Sequence, residues 1–322
     1  MKSSITISIL TICFLIIFQS CSFDDTDISN SDTLVGSDKI LKILSKGKDL
    51  IVVDKTISDD LNFWQVEHTI LPVKVSTVDF SQNIVFKNCV FKGDVSAYNK
   101  AKNNAITISR FSGNVVFIGC TFEKGVNFIQ SDFENIFCFD QNVINGESSF
   151  SGTKFNDNAS FVQTNFKNDV KFISVTFCSR ADLSKIYFEK SSIWQMLRCD
   201  GYFLATDSYF YGYTEFSNVD AGHCFDFSNA KFSGRTFFSH SNYFKLKFSG
   251  CDFKDEFKFD DNLISGELIL HNASFSGKTS FFSNTFFKPV DNTDSKTKEN
   301  FSIFQHSNNV INASEYKVIN VN

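Results

Sequence analysis

The sequence predicts an all-β solenoid, a tube of stacked four-sided coils, and three observations carry that prediction. Phe makes up 41 of the 322 residues, against 8 Tyr and 2 Trp, and it recurs at steps alternating between six and five residues. Seven of the fifteen Gly (Gly93, Gly113, Gly146, Gly212, Gly234, Gly266 and Gly277) stand at one position of that repeat. Pro, which would block a ladder of hydrogen bonds between coils, occurs only twice. An amphipathic helix is excluded, because its apolar residues recur at three and four. Simple strand alternation is excluded as well, its period being two.

Taken in chain order, Met1-Lys2 is a short basic start, and residues 5–18 are uncharged and mostly apolar. A run of about 14 residues suits the core of a leader rather than a spanning helix. It ends at Phe18-Gln19-Ser20-Cys21, which resembles a bacterial lipobox, where a small residue precedes a Cys that is diacylated and becomes the new amino terminus. The resemblance implies a signal peptide over residues 1–20 and lipidation at Cys21. Two acyl chains, each adding about 0.8 kcal/mol per buried methylene, make a stable anchor. The competing reading is an ordinary secretory leader with an incidental Cys. Residues 21–36 follow as a polar, flexible tether. Its acidic run Asp24-Asp25-Thr26-Asp27 resembles the surface-export signal of lipoproteins in some Gram-negative lineages and equally suits a solvated tether. The expected location is the bacterial outer membrane, lipid-anchored, with the surface and the periplasmic side both left open.

Residues 37–69 read as an amino-terminal cap over the open end of the solenoid. Ser37 is placed to cap a short helix, Ile40, Leu41, Ile43 and Leu44 make its apolar face, and Gly47 stops it. Residues 50–63 then form a first, less regular coil.

The repeat fills residues 70–287. From Phe111 it runs through Phe117, Phe122, Phe128, Phe133, Phe139, Ile144, Phe150, Phe155, Phe161, Phe166, Phe172, Phe177, Leu183 and Phe188, so that 13 of 15 sites are Phe. Composition alone would place about two there. Phe80, Phe86 and Phe91 keep the same spacing upstream, separated from the main array by an insertion at 98–104. The beat weakens at Trp194, Cys199 and Ala205, resumes at Phe210, loses one residue near Tyr243 and continues to Phe286. The interruption at 191–209, which holds Trp194, Met196, Leu197, Arg198 and Tyr202, reads as an internal coil with substitute fillers rather than an extruded loop, because the register resumes in phase.

Each ring should point inward at the middle of a side, and so should the residue two before it. Those second positions are small or β-branched, among them Val115, Cys120, Val126, Thr153, Ala159, Thr164, Val170, Thr236, Ala273 and Thr279. A large ring beside a small filler packs a narrow interior. Cys89, Cys120 and Cys251 occupy the filler slot and read as small apolar groups. The recurrent Gly reads as a widened corner that needs positive φ. Four sides make a coil of about 22 residues, and roughly ten coils make a rod near 50 Å long. Residues 288–322 are a loop and carboxy-terminal cap.

The quintets Ser148-Ser149-Phe150-Ser151-Gly152, Ala159-Ser160-Phe161-Val162-Gln163 and Ala273-Ser274-Phe275-Ser276-Gly277 resemble the pentapeptide-repeat family in its Phe-centred variant. The resemblance spans about two thirds of the chain and implies a right-handed quadrilateral parallel β-helix. The chain departs from the common form in using Phe for Leu and in adding a sixth residue at alternate corners.

For chemistry the sequence offers little. Its 31 basic and 36 acidic residues are interspersed, with a net charge of −5, which excludes a basic field for nucleic acid. Setting aside Cys13 and Cys21, seven Cys remain without a CxxC spacing, neither a disulfide framework nor a zinc site. His68, His223, His240, His271 and His306 fall at unrelated phases of the repeat. Asp252, Asp255, Glu256, Asp260 and Asp261 are interleaved with Lys254 and Lys258, the pattern of a solvated face rather than a calcium site. Tyr209, Tyr211 and Tyr213 alternate along one side, either as a platform for sugars or as a stack along the coil. No catalytic residue, cofactor or metal ligand is expected; Cys21 is the one site residue.

These readings add up to a membrane-anchored, non-enzymatic β-helical lipoprotein acting as a scaffold or binding surface outside the cytoplasm. Its expected partners are membrane lipid through acylated Cys21 and an extracellular or periplasmic protein or glycan, with no nucleic acid. The alternative is a polysaccharide-processing β-helix enzyme, which requires acidic and basic groups converging in one groove. A DNA-mimicking topoisomerase protector, as in some pentapeptide-repeat proteins, conflicts with the leader and the modest charge.

Overall fold

A computed structural model of the protein describes residue 28 and residues 33–66, 74–288, 290–291 and 309–311. The leader, Cys21, His68 and His306 lie outside the described residues.

Two-residue alternation turns every register residue inward. Phe111, Phe117, Phe122, Phe128 and each later register residue to Phe188 are 0–1 % exposed. The residue two before each ring is buried as well and the one between the two faces out, on strands of two to four residues that reach six or seven where a strand continues round a corner. Arg110-Phe111 pairs in parallel with Asp132-Phe133, which pairs with Lys154-Phe155 and then Thr176-Phe177. Each step advances 22 residues, and the same step relates the strands of the other three sides. The fold is therefore an all-β parallel β-solenoid with four ladders. We number its faces in chain order. Face 1 carries Phe111 and Phe133, face 2 Val115–Ile118 and Phe137–Asp140, face 3 Thr121–Phe122 and Val143–Ile144, and face 4 Val126–Asn127 and Ser148–Ser149. Face 3 is an eleven-stranded ladder and face 4 a ten-stranded one.

The rings stack along the axis. On face 1 Phe80, Phe111, Phe133, Phe155 and Phe177 lie 4.9–5.3 Å apart with interplanar angles of 6–12°. The stack is not continuous, because Cys199 and Ala221 follow on that face and Ile144 breaks the column on face 3. At the interruption Trp194 takes its place in the face 4 column, 3.9 Å from Phe172 and 5.4 Å from Phe216. Ala205 leaves room that Phe203, in the filler slot of the same side, occupies edge-on to Trp194 at 5.5 Å. Large and small have exchanged positions with the interior still full. Phe275 and Thr279, near the end of the array, are only half-buried.

Two kinds of corner alternate. One places a residue in the left-handed region at every eleventh position from Gly119 to His240, including Gln130, Gln141, Gln163, Asp207, Asn218 and Asn229. The other carries the recurrent glycines, and there the sequence expectation fails: none of the seven has positive φ. They are glycine because coils stack too closely for a side chain. A Cβ on Gly113 would lie 2.1 Å from the Gln82 carbonyl oxygen, and one on Gly277 2.2 Å from that of Asp255.

The filler slot also differs from expectation. Cys89, Cys120 and Cys251 are buried, yet each thiol donates to a main-chain carbonyl of an earlier coil, those of Val52, Phe86 and Phe227, at 3.4, 3.5 and 2.9 Å. Asn142, Thr164 and Ser208 fill the equivalent corner and donate to the carbonyls of Phe117, Phe139 and Leu183. At these six positions the slot side chain also satisfies a corner carbonyl, whereas Ile186, Ala230 and Ala273 fill the same column with apolar groups.

At the amino-terminal end the helix Ser37–Leu44 covers the first coil through Ile40 and Leu44, which are buried. Gly36, not Ser37, is its N-cap, and no side chain caps it; Gly47 follows with φ +68°. The ladder begins before the helix, with Leu34–Val35 paired to Thr56–Ile57. Leu50–Val53 pairs with Ile84–Lys87, making residues 50–62 a coil. The insertion is a hairpin in which Tyr98–Lys100 runs antiparallel to the start of Ile106–Phe111. The lost residue is located too: the register shifts between Tyr243 and Lys245, at the corner from face 1 to face 2. At the far end Val310–Ile311 pairs with Thr285–Phe286.

Candidate binding surface

With the interior filled by rings, every group that could meet a ligand is on an outward position or a corner. Among the described residues no group of three or more His, Cys, Asp or Glu side chains is arranged to hold a metal ion. The acidic patch is divided between sides, each carboxylate on its own partner. Lys254 meets Asp252 at 2.7 Å and Lys258 meets Glu256 at 3.4 Å. Asp260 accepts from the Ser280 hydroxyl and the Phe282 amide. His223, His240 and His271 sit at three different corners and are not brought together; His240 lies 3.6 Å from Asp261 and His271 hydrogen-bonds Asn272.

The tyrosines of face 3 stack along the coil. Tyr209 lies 4.7 Å from Tyr187 with parallel rings, and the Lys231 ammonium sits over it at 5.1 Å. Tyr211 is half-exposed beside them. Tyr213 turns away to face 4, where its hydroxyl donates to Glu215 at 2.8 Å; burial and the neighbouring carboxylate push its phenol up to about 12.

Two features were not legible in the sequence. The first is Asp140, at the outer end of its face 2 strand. It is 1 % exposed; Oδ1 accepts from the Ser160 hydroxyl at 2.6 Å and the Val162 amide at 2.9 Å, while Oδ2 makes no hydrogen bond. Burial, with a smaller push from the Asp182 charge, raises this carboxyl to about 6 against those two bonds and the neighbouring Cys138 thiol. Its neighbours on the outer side include the small apolar cluster of Val85, Val116 and Cys138.

The second is a ridge at the corner between faces 1 and 2. Tyr202, His223 and Phe244 come from three successive coils and all are exposed, Tyr202 at 46 % and Phe244 at 49 %. The Tyr202 and His223 rings are 4.0 Å apart, and His223 and Phe244 6.3 Å. Beside the ridge, on face 2, Lys245 pairs with Glu267, and Lys247 meets Asp226 at 3.0 Å. Asp226 also accepts from the Ser228 amide and hydroxyl, and these bonds with the Lys247 charge hold its carboxyl below the usual range despite burial. The same corner carries Asn114, Ile136, Asn158 and Arg180 in earlier coils, so the sequence shows no run of like residues leading to the ridge. Gly266 continues it: a Cβ there would meet the Phe244 carbonyl oxygen at 2.1 Å.

No family model matches the chain, and neither the curated proteins nor the solved structures contain a match to it.

Proposed function

We propose that this protein is a lipid-anchored, non-enzymatic scaffold of the pentapeptide-repeat type, right-handed in its coiling, which works outside the cytoplasm by presenting its long outer faces to a protein or glycan. The observation that supports this reading is the division of labour in the coil. Inward positions are filled by packing, and the outward ones are short, regular ladders on which the acidic patch at 252–261 is ion-paired or hydrogen-bonded residue by residue. Such a wall suits recognition by a repeated surface. The leader and Ser20-Cys21 support the anchor.

Replacing Cys21 with Ala should leave the solenoid folded, as read by a β-type circular dichroism spectrum, and move the protein from the membrane to the soluble fraction. A Cys21→Ala protein that still sediments with membranes would refute the anchor. Cleavage of an acidic polysaccharide by the purified protein would replace the scaffold reading with the enzymatic one.

A further inference from the structure

Resting on the proposal that the outer faces bind, we infer that the Tyr202–His223–Phe244 ridge and the ion-paired strip beside it bind an uncharged polysaccharide, its pyranose rings laid along the rod axis against the three rings.

Three aromatic side chains exposed on successive coils, their ring centres 4.0 and 6.3 Å apart and their planes tilted by 41° and 58° to one another, form a stepped ridge along the axis. Such rings carry a negative π-face that attracts the positively polarised C–H groups on one side of a pyranose. A polar neighbour must then meet the hydroxyls at the edge of the sugar. Glu267 and Asp226 supply carboxylate acceptors, and Lys245 and Lys247 supply ammonium donors. Each carboxylate has an ammonium partner, so the strip carries no net charge to select an anionic ligand. The same pairing argues against nucleic acid, which needs cations free to meet phosphates.

Size decides between a glycan and a protein. A stable protein interface buries about 800 Å² on each partner. The ridge is three side chains long, and its neighbours are a paired charge strip rather than further apolar surface. A thin linear ligand fits that dimension.

The Gly266 contact supports the assignment from the backbone side. Its missing side chain lets the Leu263–Ile269 coil lie directly against the Phe244 main chain, which fixes the last ring of the ridge on a rigid wall. A preformed platform loses little entropy when it binds.

The test uses the full mature chain in detergent. Titration calorimetry is run with cello-, manno- and chitohexaose as neutral probes and with hexagalacturonate as the anionic one. The expected result is saturable binding of at least one neutral hexasaccharide, stronger than that of hexagalacturonate. Tyr202→Ala and Phe244→Ala should each weaken it at least tenfold with unchanged circular dichroism and melting temperature; Tyr211→Ala, on face 3, should leave it unchanged. Absence of binding to all three neutral probes, a preference for hexagalacturonate, or binding that survives the Tyr202→Ala/Phe244→Ala double substitution would overturn the assignment. Membrane release of Cys21→Ala is read separately, so the ridge can fail while the anchored scaffold stands, and the reverse.

Discussion

Asp140 shows how a single side chain can be out of balance with the wall that carries it. Its folded carboxyl titrates at about 6, above its ordinary value of 3.8. Between those values the native state holds a proton that the unfolded chain has released, so stability falls as pH rises through that window. Above pH 6 the penalty is fully present, on the order of 3 kcal/mol at most. Asp140→Asn keeps an acceptor for Ser160 and Val162 and removes the charge. It should raise stability by about 1–2 kcal/mol at pH 8 and by almost nothing at pH 4, as read by urea melts across that range. Two glycine substitutions separate the two reasons for glycine. Gly47→Ala meets nothing within 4 Å and suffers only from φ +68°, a cost of about 1 kcal/mol. Gly113→Ala drives a methyl to 2.1 Å from the Gln82 carbonyl oxygen, so two coils must part, and the loss should exceed about 3 kcal/mol. Equal melting temperatures for the two variants would contradict the close-approach account.

At the scale of a coil, Trp194 is the residue on which the interruption depends. It is fully buried between Phe172 and Phe216. Trp194→Ala should cost about 3–5 kcal/mol, whereas Met196→Ala, in an exposed corner two residues on, should change stability by less than about 0.5 kcal/mol, both measured by denaturant melts. The spacing of Phe made the coils legible, including the place of the insertion at 98–104, though not its hairpin form, and the residue dropped near Tyr243, because a phase read along one dimension survives local substitutions. Position within the phase says nothing about what the neighbouring coil puts opposite. So Gly113 looked like a left-handed corner when it is a steric one, and Cys120 looked like an apolar filler when its thiol meets the Phe86 carbonyl. Ser37 looked like a cap, since nothing in the spacing distinguishes it from Gly36. Asp140 and the Tyr202 ridge were hidden for the same reason. Their environments are assembled from residues about 22 and 44 positions away, on faces that the inward pattern does not constrain.

Across the whole molecule, contacts between coils join residues a constant distance apart in sequence, 22 in most of the ladder. Stability is then a sum of similar interfaces rather than one closed core. Hydrogen exchange should accordingly be graded, slowest for amides around Phe133–Phe188 and faster toward Thr285–Phe286, where the wall is half-open at Phe275 and Thr279. Uniform protection from Leu50 to Phe286 would mean all-or-none unfolding instead. The hairpin beside face 1 adds a practical point. Phe80 and Phe111 remain paired partners although 31 residues separate them, so the ladder absorbs nine additional residues without slipping. A reporter peptide spliced at Asn103-Asn104, in the exposed tip, should therefore ride outside the tube and leave its neighbours in place. That gives a handle for labelling intact cells, a direct check on the proposed location outside the cytoplasm.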